Sequence, residues 1–379
     1  MQKSSTLSLR YHSLTTFPEW IGQLTELEEL DLAGNQLSAL PELPGKLTGL
    51  KKLYVDNNRL TSLPSSLAKL ARLEELHVDQ NQLATLPTEI GELASLKKLS
   101  LYRNKLTALP ESLGRLTQLT ELSVGGNQLT ALPAALWQLT GLQTLNIAEN
   151  RLPSLPEDLG NLVNLRTLDL GHNELTALPE SIGNLTHLTS FLYLNNNRLT
   201  SLPGSLAKLT NLAYLNLTDN QLTALPEWIG KLTALKELRL YNNQLTSLPE
   251  ALGNLRNLQE LYVRNNRLTT LPQSLGNLKN LKRLSLCDNS LTVLPESLGN
   301  LTSLTALDLR NNHLLALPES IGKLSNLAYL DLRANRLVSL PESIGDLPKL
   351  ERLDLRWLKL SPVPAWLQRL EQRGCTVLL

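Results

Sequence analysis

Aromatic residues make up only 4% of this 379-residue chain, with two phenylalanines, and there is a single methionine. Hydrophobic residues nevertheless reach 42%, so the core must be aliphatic, and most of it is leucine. Two cysteines, Cys287 and Cys375, are too few for a disulfide framework. The formal net charge is +1, so no global field selects a nucleic acid or an anionic membrane. No run of about 18 apolar residues is present to span a bilayer. The opening stretch MQKSSTLSLRYHSL has no apolar segment of the signal-peptide kind, which makes a reducing, cytoplasmic setting the expectation. There is no GxxxxGK[ST] loop, no HExxH and no zinc-type cysteine spacing, so no cofactor or metal is expected.

What the chain does have is one phrase, repeated. The asparagine of LxLxxNxL stands at 35, 58, 81, 104, 127, 150, 173, 197, 220, 243, 266, 289, 312 and 335. Twelve of the thirteen intervals are 23 residues; only 173 to 197 is 24. Degenerate units flank the array, with His12 and Leu358 in the asparagine position, giving about sixteen units. A single domain over 1–379 is expected, with a degenerate first unit at 6–28 and a C-terminal cap at about 359–379, where AWLQRLEQRG reads as a helix and CTVLL as a last strand.

The residues of one unit indicate its form. In LKELRLYNN, leucines alternate with polar residues over Glu237–Tyr241, the period-two pattern of a short strand. The asparagine that follows carries donors and an acceptor, so a stack of them predicts a buried ladder bonded to the backbone of adjacent turns. In LTSLPEALG, proline suits the start of a helical turn, glutamate its positive end, and glycine a close with positive φ. One unit cannot bury its leucines alone, whereas stacked units can. The expected fold is an α/β solenoid: a horseshoe with a concave parallel β-sheet and convex short helical, 3-10 or irregular segments.

The period and the LxxLxLxxNxL phrase resemble the leucine-rich repeat family. The LTxLPESIGxLTxL half resembles its intracellular Ras-group-like subgroup, which includes Ras-scaffold, plant Ras-group-related, Scribble-type and Roco proteins as well as many bacterial ones. The resemblance implies a non-catalytic module that holds a protein, such as a Ras-like small GTPase or signalling protein, against its concave face. An effector or defence-type recognition protein is the alternative.

Binding information should lie at the outward strand positions, six, four and two residues before each asparagine. Seven of the eight tyrosines fall there, and Tyr193, Tyr214, Tyr241 and Tyr262 occupy four successive units. With Phe191, Asn195, Asn216, Arg239 and Arg264 they form the candidate partner-binding patch, because tyrosine and arginine are favoured at interfaces. Asp308, Asp331 and Asp354 line up with Arg310, Arg333 and Arg356. That double column reads as salt-bridge ladders between units or as an arginine-led contact with an acidic partner, and Arg310 and Arg333 join the candidate site. The N-terminal face leans acidic, with Glu29, Asp31, Asp56, Glu75 and Asp79 against Lys52, so the groove would be bipolar and would orient a partner. His77 beside Asp79 and Asp56 could move a proton, yet no nucleophile accompanies it. Cys287 is expected to point outward as a free thiol. Trp20, Trp228 and Trp137 fall on the outer segments and read as packing residues. The extra residue of the long interval lies between Leu188 and Leu192, where an insertion predicts a bulge at the entrance to the tyrosine patch.

Overall fold

The computed structural model describes residues 5–42 and 47–379. They form two compact units, Met1–Leu175 with Asn184–Leu188, and Thr176–Gly183 with Thr189–Leu379. Each is a stack of 23-residue coils, every coil giving one three-residue strand to a parallel sheet. Unit 1 contains β1 (Thr6–Ser8), β2 (Glu29–Asp31), β3 (Lys52–Tyr54), β4 (Glu75–His77), β5 (Lys98–Ser100), β6 (Glu121–Ser123), β7 (Thr144–Asn146) and β8 (Thr167–Asp169). Unit 2 contains β9 (Phe191–Tyr193), β10 (Tyr214–Asn216), β11 (Glu237–Arg239), β12 (Glu260–Tyr262), β13 (Arg283–Ser285), β14 (Ala306–Asp308), β15 (Tyr329–Asp331), β16 (Arg352–Asp354) and β17 (Thr376–Leu378). Within each unit the strands pair in chain order; Leu238 stands opposite Leu215 on one side and Leu261 on the other.

The strands are shorter than the alternation suggests, but the ladder runs past them: Leu240 N–H donates to the Tyr262 carbonyl at 2.8 Å and Asn242 N–H to the Arg264 carbonyl at 3.1 Å. Asn242 then takes a left-handed backbone, φ 56°, and turns the chain off the sheet. The same position is left-handed in other coils, as at Arg103, His172, Asp219 and Gly126. Asn243 fixes the turn. Its Nδ2 donates to the Leu217 and Leu240 carbonyls at 2.9 and 3.1 Å, and its Oδ1 accepts from Leu222 N–H at 3.0 Å. Asn58 makes the same three bonds to Leu32, Val55 and Leu37. The expected ladder is present, and it satisfies backbone groups that burial would otherwise strand.

A five-residue 3-10 turn on the opposite side, such as Glu250–Asn254, completes fourteen of the coils among the described residues. Its first bond runs from Leu252 N–H to the Pro249 carbonyl at 3.1 Å. Two details differ from the sequence expectation. Glu250 does not serve its own turn; its carboxylate accepts from Gln273 and Ser274 N–H of the next coil, at 3.1 and 3.0 Å. Gly253 has no positive φ. It is needed because a Cβ there would stand 2.4 Å from the Ser274 carbonyl oxygen of the next turn. At Gly253 the neighbouring 3-10 turn approaches too closely for a side chain, and the left-handed position belongs to the residue before the asparagine instead.

Between sheet and turns lies leucine. In the Asn243 coil, Leu235, Leu238, Leu240, Leu245, Leu248, Leu252 and Leu255 are buried. Trp137 packs into this layer as expected, whereas Trp20 is half exposed. The helix α1 (Leu367–Gln372) buries Leu367 and Leu370. Gly374 follows with φ 90°, and the chain enters β17 beside β16.

The extra residue does not bulge β9. Phe191, Leu192 and Tyr193 stand opposite Tyr214, Leu215 and Asn216 in regular register. The residue is absorbed in a bend at Ser190. Ala213 N–H accordingly reaches 24 residues back to the Thr189 carbonyl at 3.2 Å, whereas Lys236 N–H reaches 23 back to Ala213 at 2.8 Å. The division between the two compact units falls here, at Leu188 and Thr189.

Candidate functional site

The strand register turns the outward positions of unit 2 into a grid. Its central row reads Tyr193, Asn216, Arg239, Tyr262, Ser285, Asp308, Asp331 and Asp354. At its beginning three aromatic rings meet. Phe191 stacks on Tyr193 with centroids 5.6 Å apart and meets Tyr214 edge-on at 5.4 Å, and Tyr193 lies 5.1 Å from Tyr214. Phe191 remains 42% exposed while Tyr214 is 9% exposed, so Phe191 offers the contact area and Tyr214 supports it. Burial pushes the Tyr214 hydroxyl up to about 12.

Arg239 follows, its Nε donating to Glu237 Oε1 at 2.5 Å and its guanidinium set between the Tyr214 and Tyr262 rings at 5.5 and 5.6 Å. The Tyr262 hydroxyl donates to Glu260 Oε2 at 2.6 Å. Arg264 lies over the Tyr241 ring at 4.6 Å and is exposed. Such cation–ring contacts hold a long side chain in place without consuming its donors. Arg239, Tyr241, Tyr262, Arg264, Ser285 and Arg310 line a recess of about 290 Å³.

Two members of the expected patch are not available at the surface. Tyr214 lies under its aromatic neighbours. Asn216 is buried and committed: it donates to Asn195 Oδ1 at 3.3 Å and accepts from Thr218 N–H at 3.1 Å. Asn195 and Tyr193 stay half-buried beside it. Cys287 does point to this face, its Sγ against Ser285 Oγ at 3.7 Å and Arg310 Nη2 at 4.0 Å, but these neighbours cover it wholly; burial pushes its thiol up to about 12, so it is not an activated nucleophile.

The aspartate–arginine columns pair chiefly along each strand rather than between strands. Arg356 bonds Asp354 through Nε and Nη2 at 2.9 and 2.7 Å, and Arg333 bonds Asp331 at 2.9 and 2.6 Å. One contact crosses between strands, Arg333 Nε to Asp354 Oδ2 at 3.4 Å. Arg310 is held more loosely, with Nε 3.4 Å from Asp308 Oδ2. Arg333 is therefore occupied by its own carboxylates, and Arg310 turns partly toward the recess.

In unit 1 the sheet face is more self-contained. Lys52 pairs with Glu75 at 3.3 Å and Lys98 with Glu121 at 3.0 Å. Asp56, His77 and Asp79 bring possible ligand atoms within 4.8 Å of one another. Both carboxylates already accept bonds: Asp56 from Asp79 N–H at 2.8 Å, and Asp79 from Ser100 Oγ and Tyr102 N–H at 2.7 Å. The His77 ring lies 4.9 Å from that of Tyr54, and its Nε2 is 3.8 Å from Glu75 Oε2. The sequence signal for the aromatic–arginine grid was its column spacing; the recess itself was not visible there, because it depends on small Ser285 lying beside large neighbours.

Comparison with known proteins agrees with this architecture. A leucine-rich repeat region model matches residues 153–247 and 229–312. A leucine rich repeat model matches 72–129, 94–152 and 307–360, and another matches 26–47 and 49–70. No curated protein matches the chain. Among solved structures, a leucine-rich repeat protein from Leptospira interrogans is 38% identical, with TM-score 0.92 over 98% of this chain and 95% of that one. YopM, a leucine-rich effector protein from Yersinia pestis, is 32% identical, with TM-score 0.69 over 91% of this chain and 88% of that one. A TDR receptor is 31% identical, with TM-score 0.72 over 93% of this chain and 68% of that one. No helix among the described residues is long and apolar enough to cross a membrane. With its asparagine ladder, parallel strands and 23-residue coils, the chain belongs to the leucine-rich repeat family.

Proposed function

We propose that this protein is a non-catalytic scaffold, one leucine-rich repeat domain of about sixteen units, that binds a protein partner on the sheet face of unit 2. The observation that carries the reading is the aromatic–arginine patch of β9 to β12. Phe191 is 42% exposed on a base of Tyr193 and Tyr214, and Arg239 and Arg264 lie against tyrosine rings. Rigid strands hold these groups at low entropic cost, and aromatic and arginine anchors dominate protein interfaces. Leucine-rich repeat proteins generally mediate protein–protein contacts. The LPESIG phrase, shared with the Ras-group-like subgroup, favours a Ras-like small GTPase or another signalling protein as the partner. A cytoplasmic location belongs to this reading and is supported by the two buried, free cysteines.

The second reading, an effector-type protein that binds a foreign or host protein, is favoured by the 32% identity to the Yersinia pestis effector. Affinity capture from the native cell extract tests both. Wild type should retain a protein that Phe191→Ala/Tyr241→Ala does not, and its identity separates the readings: a small GTPase favours the first, a host protein the second. Equal capture by both forms would remove the binding site from this face.

A further inference from the structure

The second and third outward positions of successive strands show a graded loss of internal charge pairing. In β16, Asp354 holds Arg356 by two short bonds, and in β15, Asp331 holds Arg333 in the same way. In β14 the pair has loosened to 3.4 Å between Arg310 and Asp308. In β12 the carboxylate is gone: Tyr262 stands where the aspartate would be, and Arg264 makes no ion pair among the described residues. Arg264, Arg310 and Arg239 surround the recess of about 290 Å³; Glu237 holds Arg239 and Asp308 holds Arg310 loosely, so Arg264 is the lining guanidinium left without a carboxylate. Cys287, buried beneath with its thiol kept neutral, does not offset that charge.

We infer that this recess receives carboxylate side chains from an acidic segment of the partner, an inference that rests on the binding face proposed above. The guanidinium fork matches a carboxylate in a planar, two-bond arrangement, and this molecule uses that arrangement twice in its own last strands. The Tyr241 and Tyr262 rings wall the recess. The partner's carboxylates thus take the place that Asp331 and Asp354 take for Arg333 and Arg356. Its apolar side chains would lie over Phe191.

The test uses the whole chain and a fluorescein-labelled oligoglutamate peptide, followed by fluorescence anisotropy. Oligoglutamine and phosphoserine peptides of equal length serve as comparisons. Oligoglutamate should bind, weaken as salt is raised, and bind about tenfold more weakly to Arg264→Gln. Arg256→Gln, which removes the same charge from the turn side of unit 2, should leave binding unchanged. Equal loss in the two variants, or binding of oligoglutamine as tight as that of oligoglutamate, would overturn the assignment. Tighter binding of the phosphoserine peptide would overturn the carboxylate in favour of a phosphate. Phe191→Ala separates this inference from the reading beneath it. Partner capture that ignores Phe191 while oligoglutamate still depends on Arg264 defeats the binding face and keeps the recess; the converse defeats the recess alone.

Discussion

Two stretches of the unit 2 sheet face are built on the same leucines and the same asparagine ladder, yet they dispose of their charges differently. In β14 to β16, Arg310, Arg333 and Arg356 each pair with an aspartate two residues earlier in the chain, so their charge is met within the face. In β9 to β12 the equivalent positions carry Tyr193, Asn216, Arg239 and Tyr262; Arg239 keeps Glu237 and lies between two rings, while Arg264 rests on the Tyr241 ring with no carboxylate beside it. The backbone is indifferent to this exchange, because the outward side chains contribute little to the core. Function can therefore vary along a repeat array while the fold stays constant.

Substitutions sharpen that contrast, and the largest effects should fall on the shared scaffold. Asn243→Ala leaves Leu222 N–H and the Leu217 and Leu240 carbonyls without their partner. A loss of about 3 kcal/mol or more is expected in urea unfolding. Gly253→Ala forces a Cβ against the Ser274 backbone, so about 1–3 kcal/mol should be lost. Gly204, at the same kind of turn, has nothing within 4 Å of its Cβ direction. Gly204→Ala should instead gain about 0.4–1 kcal/mol by restricting the unfolded chain. Equal effects of the two glycine substitutions would refute the close-approach account of the turns. On the patch, Tyr241→Ala should shift stability by less than about 0.5 kcal/mol while weakening partner capture; a large stability loss with intact capture would make Tyr241 a scaffold residue.

The thiols give the smallest effect near neutral pH. Cys287 is pushed up to about 12 from an ordinary value of 9.0 by burial. Its raised value means its contribution to stability is complete below pH 9 and is lost as pH rises from about 9 to 12, where the unfolded thiol ionises first. Both cysteines are buried, so Ellman's reagent at pH 8 should find no fast-reacting thiol until urea unfolds the chain.

Strands, ladder and turns were legible because a 23-residue period repeats the same backbone requirement many times. What was not legible depended on neighbours in the next coil. Glutamate after proline reads as the cap of its own turn, but the stacking brings Gln273 and Ser274 N–H within its reach. Glycine in LPxxIG reads as a turn closer, but its space is taken by the following coil. The true left-handed position did leave a signal, the run of Asn57, Asn196, Asp219, Asn242, Asn265, Asp288 and Asn311, residue types that tolerate that conformation best after glycine. Column spacing placed Phe191, Tyr193, Tyr241, Tyr262, Arg239 and Arg264 on the sheet face, where the structure has them. It could not foresee that Tyr214 and Asn216 would be covered, nor that Arg333 would be consumed by Asp331, because those outcomes are set by side-chain sizes on adjacent strands.

The most direct test of the central claim, that the partner is met by the patch face of unit 2, is photo-crosslinking in the native extract. A photoreactive phenylalanine analogue would be placed at Tyr241 in one form and at Arg256, on the turn side of the same coils, in another. A single protein crosslinked from position 241 and not from 256 is the predicted result. The same protein crosslinked from 256 alone, or equally from both, would contradict it.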